Sequence, residues 1–338
     1  MRLPRFRWVA PRSVAEAARI LAGEGPGAML VAGGTDLLPN MKRRQQTPRT
    51  LVSLARIESL RGMDDGPALA LGGALTLTAL TRSPAVRERC RGLWQAAAQV
   101  ATPQLRNMGT IGGNLCLDTR CSYYDQSYEW RKAIDFCMKK DGEICWVATA
   151  SKRCVAVSST DCAPALIALG ARVRLASVAG ERELPLAELY RNDGIDYLAR
   201  RPDEILTAVE VPNAGAWRSC YWKLRRRGAF DFPVLGVAAA VQVAADGTVE
   251  QARIALGAVS SHPFLTTAGD GLTGKRLTDE VIAEAAARVA SRAKPMDNAD
   301  FDVYWRKGVA GEFATYALRE LRGDDLSATR LRVARQAL

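Results

Sequence analysis

Thr110-Ile111-Gly112-Gly113-Asn114-Leu115-Cys116 opens a segment that runs on through Asp118-Thr119-Arg120-Cys121 and closes on Ser159-Thr160-Asp161-Cys162-Ala163-Pro164. A glycine turn here leads directly into a run of cysteines: Cys116, Cys121, Cys137, Cys145, Cys154 and Cys162 are six of the eight in the chain. Cysteine used only as a small core residue would be scattered more evenly. The segment is also polar and aromatic (Tyr123, Tyr124, Tyr128, Trp130), between flanks rich in Ala, Val and Leu. It reads as an inserted metal-binding loop set against a second site.

The 338 residues, 48% hydrophobic and 25% charged, have the composition of a soluble globular protein and the length of two or three domains. No apolar run approaches the ~20 residues that a spanning helix needs. The start, Met1-Arg2-Leu3-Pro4-Arg5-Phe6-Arg7-Trp8, has charge but no apolar signal region. These features predict a cytoplasmic protein with no membrane partner. In a reducing compartment, eight cysteines point to metal ligands or buried thiols and not to a disulfide framework. A net charge of +11 raises the question of nucleic acid. The basic residues fall in short clusters, Lys42-Arg43-Arg44 and Arg225-Arg226-Arg227, with no stripe that alternates them with aromatics. A nucleic-acid partner is therefore not expected.

Outward from the central segment, Ser13-Val14-Ala15-Glu16 is a capping box opening a helix that Gly23 should stop. A strand, Ala28-Met29-Leu30-Val31-Ala32, then runs into Gly33-Gly34-Thr35-Asp36-Leu37-Leu38. Residues 50–54 and 69–77 read as strands, the second broken by Gly72-Gly73. Ser83-Pro84 opens a helix that carries Leu93, Trp94, Ala97 and Val100 at helical spacing and should end before Pro103. A helical turn at 163–169 and a strand at 171–176 follow the cysteines. From Glu204 the chain reads as β, over 204–211, 217–227, 234–244 and 248–259, with an Asp246-Gly247 hairpin. Helices at 278–292 and 303–321 complete a separate α+β unit whose boundary falls near Pro212–Ala216, followed by a polar, poorly ordered tail.

Two glycine turns, Gly33-Gly34-Thr35 and Thr110–Asn114, present amides with little side-chain obstruction and could clamp the phosphates of a dinucleotide. They also suit plain tight turns. Neither matches Gly-x-Gly-x-x-Gly, so a Rossmann site is not predicted. Gly269-Asp270-Gly271-Leu272-Thr273-Gly274-Lys275 has P-loop spacing, but Arg276 stands where a Ser or Thr should follow, and no strand immediately precedes it. The cysteine spacings are x4, x15, x7, x8 and x7, without a Cys-x-x-Cys pair, which speaks against a zinc finger or ribbon. Cys116 goes with the glycine turn and Cys162 with the Asp-Cys-Ala-Pro corner, leaving Cys121, Cys137, Cys145 and Cys154. An iron–sulfur cluster, zinc and plain thiols all remain open at this point.

Ala32-Gly33-Gly34-Thr35-Asp36-Leu37-Leu38, Thr110–Asn114, Asp161-x-Ala163-Pro164-Ala165-Leu166 and Arg226-x-x-Ala229-Phe230-Asp231-Phe232-Pro233 stand in the order of one family. Over nearly its whole length the chain resembles the FAD-binding medium subunit of the molybdenum hydroxylase (xanthine dehydrogenase) family. The loop from Asp118 to Cys154 resembles the insertion of the 4-hydroxybenzoyl-CoA reductase β subunit, which carries a [4Fe–4S] cluster. Its ligands correspond to Cys121, Cys137, Cys145 and Cys154. Some aldehyde oxidoreductase relatives carry a cluster loop too, usually with Gly-Ser-Gly-Cys where this chain has Asp141-Gly142-Glu143-Ile144-Cys145.

The resemblance implies an α+β protein. A two-subdomain FAD-binding fold of the PCMH/vanillyl-alcohol-oxidase type would span 1–215, with subdomains of about 1–55 and 56–215 and an iron–sulfur insertion at about 116–160. A CO-dehydrogenase-flavoprotein-like domain would span 216–325, followed by a tail at 326–338. It implies FAD held by Leu30, Val31, Ala32, Gly33, Gly34, Thr35, Asp36 and Leu37 and by Thr110, Ile111, Gly112, Gly113 and Asn114, chiefly through backbone amides. Thr35 and Thr110 would add hydroxyl donors, and Val100 and Leu206 apolar contacts. Asp161 would hydrogen-bond the cofactor, Tyr123 would join the contacts, and Lys223 would lie near the isoalloxazine. Taken alone, Lys223 reads as a solvated edge-strand lysine. The implied partners are a large molybdenum-cofactor subunit and a small [2Fe–2S] subunit in a dimer of heterotrimers, with ferredoxin as electron donor. The implied activity is electron transfer in 4-hydroxybenzoyl-CoA reduction, with no bond-breaking residue in this chain. An aldehyde or purine dehydrogenase is the oxidative alternative, and a zinc-containing interaction module the non-enzymatic one.

Overall fold

The computed structural model describes residues 2–335. Its N-terminal sheet comprises β1 (Arg7–Val9), β2 (Ala28–Val31) and β3 (Thr50–Ser53), all parallel in the order β1-β3-β2. Parallel neighbours need crossovers, supplied by α1 (Val14–Glu24) and α2 (Leu37–Lys42). The Ser13 Oγ accepts from the Glu16 N–H, and the Glu16 carboxylate accepts from the Arg12 N–H at 2.8 Å, one residue earlier than a capping box requires. The helix runs through Gly23 and ends one residue later, at Glu24.

The second sheet is antiparallel, with β4 (Met63–Asp65), β5 (Leu69–Gly72), β6 (Arg172–Ser177), β7 (Gly180–Pro185) and β8 (Ile205–Val211) in the order β4-β5-β8-β6-β7. The strand expected over 69–77 stops at Gly72, and α3 (Leu77–Arg82) follows. The long helix expected after Ser83-Pro84 is broken at Cys90, which leaves helical geometry (φ −136°, ψ 53°) and separates α4 (Pro84–Arg89) from α5 (Arg91–Ala98). Short helices α6 (Pro103–Arg106) and α7 (Ile111–Leu115) lead into the cysteine loop, which contains α8 (Tyr128–Ala133), and α9 (Cys162–Ala168) leads out of it.

The third sheet is an antiparallel meander of β9 (Arg218–Leu224), β10 (Leu235–Val243), β11 (Val249–Gly257) and β12 (Phe264–Thr266). The Asp246 carboxylate accepts from the Thr248 N–H in the β10–β11 turn. Side chains alternate across a strand, and here both faces are covered. Trp222 and Leu224 of β9 and Val237, Ala239 and Val241 of β10 pack with α10 (Asp279–Arg292) and α11 (Val303–Arg322). Tyr221, Ala238, Ala240 and Ala255 pack instead with residues of α5 and α9. The C-terminal sheet therefore packs one face against the layer that covers the second sheet. The tail contains a helix, α12 (Ser327–Val333), whose Arg330 is buried and donates to the Tyr221 carbonyl, so the expectation of disorder does not hold there. Residues 336–338 of the expected tail lie outside the described residues. Among the described residues no helix is long and apolar enough to cross a membrane.

Candidate cofactor site and cysteine cavity

The two glycine turns meet backbone to backbone. A Cβ on Gly33 would overlap the Met108 carbonyl, so only glycine lets the first turn press against the residues just ahead of Thr110. The second turn repeats the device: the Gly112 N–H donates to the Gly73 carbonyl at 2.9 Å, and a Cβ on Gly112 would stand 2.6 Å from that oxygen. Gly73 lies in the same way on the Leu206 carbonyl. Leu30 and Ala32 pack on the core beneath α1, Val31 and Leu37 pack with Met41 and Leu51, and Ile111 is fully buried. What these residues leave for a ligand is backbone. Thr35 Oγ1 lies beside Gly109, and Thr110 Oγ1 accepts from the Gly113 N–H at 3.0 Å, capping α7. Asn114 Oδ1 accepts from the Thr160 hydroxyl (2.7 Å) and the Cys162 N–H (3.1 Å), which ties the second turn to the corner at Asp161.

Asp161 and Lys223 form a buried ion pair at 2.9 Å, with side chains 4% and 0% exposed. Lys223 also donates to the Gln99 carbonyl (3.1 Å) and the Asp231 carbonyl (2.9 Å), which uses all three of its ammonium protons. The Tyr221 hydroxyl donates to the other Asp161 oxygen at 2.9 Å. Burial pushes the Asp161 carboxyl up and the Lys223 ammonium down, each against the pull of its partner. Lys223 is on an edge strand, as expected, but its side chain faces inward beside Tyr221, which rules out the solvated reading. Val100 is half-buried against the same core, and Leu206 is buried. Sequence reasoning missed Ala101 and Phe230. Both hold positive φ (47° and 55°), and the Phe230 N–H donates to the Ala101 carbonyl at 3.0 Å. Paired strain of this kind needs firm surroundings. It fixes the Arg225–Pro233 loop against the residue after Val100.

The cysteine loop closes at its base through two backbone bonds between Arg120 and Val157, of 2.8 and 2.7 Å. Inside it Cys121, Cys137, Cys145 and Cys154, spread over 34 positions of sequence, line one cavity with Tyr123, Tyr124, Met138, Lys139, Trp146, Val147 and Ala156. All eight cysteines are free. Burial pushes the Cys121 thiol up to about 12 and the Cys154 thiol up to about 11. A bound cation would favour the thiolate form of these two against that burial. Among the described residues no three or more His, Cys, Asp or Glu side chains are arranged to hold a metal ion as they stand; the four cysteines share the wall of one small cavity. Cys162 is fully buried in the main core with its thiol pushed well up by burial, and Cys116 packs against that core. Neither lines the cavity. Tyr123, counted among the flavin contacts from sequence, is in the wall of this cavity, its ring 6.3 Å from that of Trp130.

A charged bridge that sequence did not foretell joins the two places. Arg120 pairs with Asp36 of the first glycine turn and with Asp125 (2.9 Å), and donates to Asn40 Oδ1 at 3.1 Å. Its guanidinium lies over the Phe232 ring, 4.7 Å from the centroid. The Asp36 carboxylate also accepts from the Asp118 N–H at 3.4 Å. Burial pushes the Asp36 carboxyl up, and Arg120 opposes that. The Asp36 side chain thus anchors the cysteine loop, and only its backbone remains for a cofactor.

Residues 4–214 match the family described as FAD binding domain in molybdopterin dehydrogenase, and residues 219–321 match the CO dehydrogenase flavoprotein C-terminal domain. The carbon monoxide dehydrogenase medium chain of Hydrogenophaga pseudoflava is 29% identical over 321 residues, covering 93% of this chain and 96% of the relative. The aldehyde oxidoreductase FAD-binding subunit PaoB of Escherichia coli is 32% identical over 279 residues, covering 78% and 85%. The solved structure of reconstituted CO dehydrogenase from Oligotropha carboxidovorans superposes with a TM-score of 0.80 at 25% identity, covering 96% of this chain and all of that one. The shared fold, the glycine turns and both matched regions agree: this chain belongs to the FAD-binding medium subunits of the molybdenum hydroxylase family, and is an oxidoreductase flavoprotein.

Proposed function

We propose that the chain is the FAD- and [4Fe–4S]-carrying electron-transfer subunit of a 4-hydroxybenzoyl-CoA reductase. The observation that carries this reading is the gathering of Cys121, Cys137, Cys145 and Cys154 around one cavity, inside the stretch whose two ends would hold the flavin. Cysteine thiolates are the ligands of a [4Fe–4S] cluster, and four cysteines line this one cavity.

When bound, FAD exchanges electrons in pairs or singly, and a [4Fe–4S] cluster exchanges them singly. The chain's own residues would hold and insulate both. Backbone from Leu30 to Leu37 and from Thr110 to Asn114 would cradle the pyrophosphate and ribityl chain, with hydroxyls from Thr35 and Thr110 and apolar cover from Val100 and Leu206. Asp161 would orient the cofactor. Lys223 has all its donors engaged, so it would act on the isoalloxazine through charge alone. The partners in this reading are a large molybdenum subunit and a small [2Fe–2S] subunit, arranged as a dimer of heterotrimers, with ferredoxin as donor. Relatives named as medium chains support the existence of large and small partners. Reduction would proceed in the cytoplasm.

Anaerobically purified protein is expected to show flavin bands with a broad iron–sulfur shoulder and about four irons per chain. Cys137→Ser should lose those irons and keep FAD. Colourless or iron-free protein overturns the reading. Turnover of 4-hydroxybenzoyl-CoA with a strong low-potential reductant is expected of the intact complex. The 32% identity to an aldehyde oxidoreductase subunit favours a second reading, electron flow outward from an aldehyde. Turnover of aldehydes, with none of the acyl-CoA, would establish it over the first.

A further inference from the structure

Lys139 follows Cys137 by two positions and lines the same cavity as the four cysteines. Its side chain is 6% exposed and that of its partner Asp118 is 5% exposed. The Lys139 ammonium donates to Asp118 Oδ1 (2.8 Å), Thr119 Oγ1 (2.8 Å) and the Gly194 carbonyl (2.6 Å). It also faces the rings of Tyr124 and Tyr197, 4.8 and 5.4 Å from their centroids. Three acceptors and two aromatic faces fix a flexible lysine at one place. A buried ion pair is a poor device for stability alone, because removing both charges from water costs about as much as their attraction returns. Asp118 is held in turn by the Tyr124 hydroxyl (3.0 Å) and Gln46 Nε2 (3.3 Å), and its N–H reaches Asp36. Lys139 therefore lines the cavity while its ammonium is held by Asp118, whose own N–H is bonded to the Asp36 carboxylate of the first glycine turn.

We propose that Lys139 sets the reduction potential of a cluster held by Cys121, Cys137, Cys145 and Cys154, with Asp118 as the opposing charge. This rests on the cluster reading above. Four thiolates make such a centre net negative, and its reduction adds one electron while no bond forms or breaks. A positive charge in a low-dielectric wall favours the reduced form and a negative one disfavours it. The arrangement raises the affinity of the centre for an electron, and Asp118 limits the rise.

The test is a potentiometric titration followed by electron paramagnetic resonance, on the anaerobically purified full chain with iron content measured alongside. Lys139→Gln should weaken electron affinity at least about tenfold, a fall of about 59 mV for a one-electron couple. Asp118→Asn should shift the potential upward, the double variant should fall between the two, and Lys139→Arg should stay near the parent. A merely structural pair would not give opposite signs for its two members. An unchanged potential in Lys139→Gln, or shifts of the same sign in both single variants, overturns the proposal while leaving the cluster reading intact. Parent protein without iron or signal overturns the cluster reading, and this proposal with it. If Lys139→Gln fails to retain iron, Asp118→Asn decides: an upward shift supports the assignment and no shift overturns it.

Discussion

Around Gly33, Gly112 and Gly73 the chain is held by backbone lying on backbone over a continuous apolar core; around Cys121 to Cys154 it is held by charged side chains and by separate backbone bonds, Arg120 with Val157, Ser122 to Asn298 and Gly194 to Cys154. In the first region nearly every neighbour is fixed by shape, so the site is formed before any ligand arrives. In the second, burial pushes the Cys121 and Cys154 thiols up, and these two pack with Tyr124 and Ala156 in a small apolar cluster of their own. The difference predicts a rigid flavin cradle beside a loop whose order depends on what it binds.

The largest effect should come from breaking the first region. Gly33→Ala drives a methyl into the Met108 carbonyl, where neither backbone has room to yield. A loss of about 3 kcal/mol is expected, the upper end of overpacking costs. Thermal unfolding and bound-flavin content should fall together, and a variant with normal flavin would show that the turns are less tightly locked than their geometry implies.

The bridge between the regions comes next. Arg120→Met leaves Asp36 and Asp125 without their cation, and a cost of about 2 kcal/mol is expected because both carboxylates keep some contact with water. Its signature is local: limited proteolysis should open the loop between Arg120 and Val157 while flavin stays bound. Loss of flavin with an intact loop would reverse the comparison and make Asp36 a cofactor residue first.

The elements that could be read from sequence are those set by neighbours along the chain. The bounds of α10, the Asp246-Gly247 turn and the strands from β8 to β11 fall within a few residues of expectation, because turn chemistry and apolar patterning are local signals. The four cavity cysteines were legible from their crowding, and the glycine turns from their composition. The joining chemistry was not. Asp161 and Lys223 are 62 positions apart, and Asp36 and Arg120 are 84 apart. Lys139 sits between Met138 and Lys140 in an ordinary polar run, where nothing local distinguishes a buried ammonium from a solvated one. The covering of both faces of the third sheet was hidden for a related reason. A strand buried on both faces reads as an unbroken apolar run, and such a run does not say which elements cover it.

The smallest effect concerns a thiol of the first region, and it separates packing cysteines from cavity cysteines. Cys90 is fully buried at the break between α4 and α5, and burial pushes its thiol up from 9.0 to about 11. A group whose folded pKa is raised contributes stability that is complete below its unfolded value and declines as pH climbs toward the folded one. Above pH 9 the unfolded chain ionises this thiol while the folded chain keeps it neutral, so stability should drop with pH until about 11. The contribution at pH 10 is about 1 kcal/mol. Cys90→Ala should remove that one-proton slope from denaturant midpoints measured between pH 8 and 10, whatever it costs in packing, and should leave iron content unchanged. An undiminished slope would show that Cys90 does not titrate with unfolding, and iron loss would put it among the ligands instead of the core.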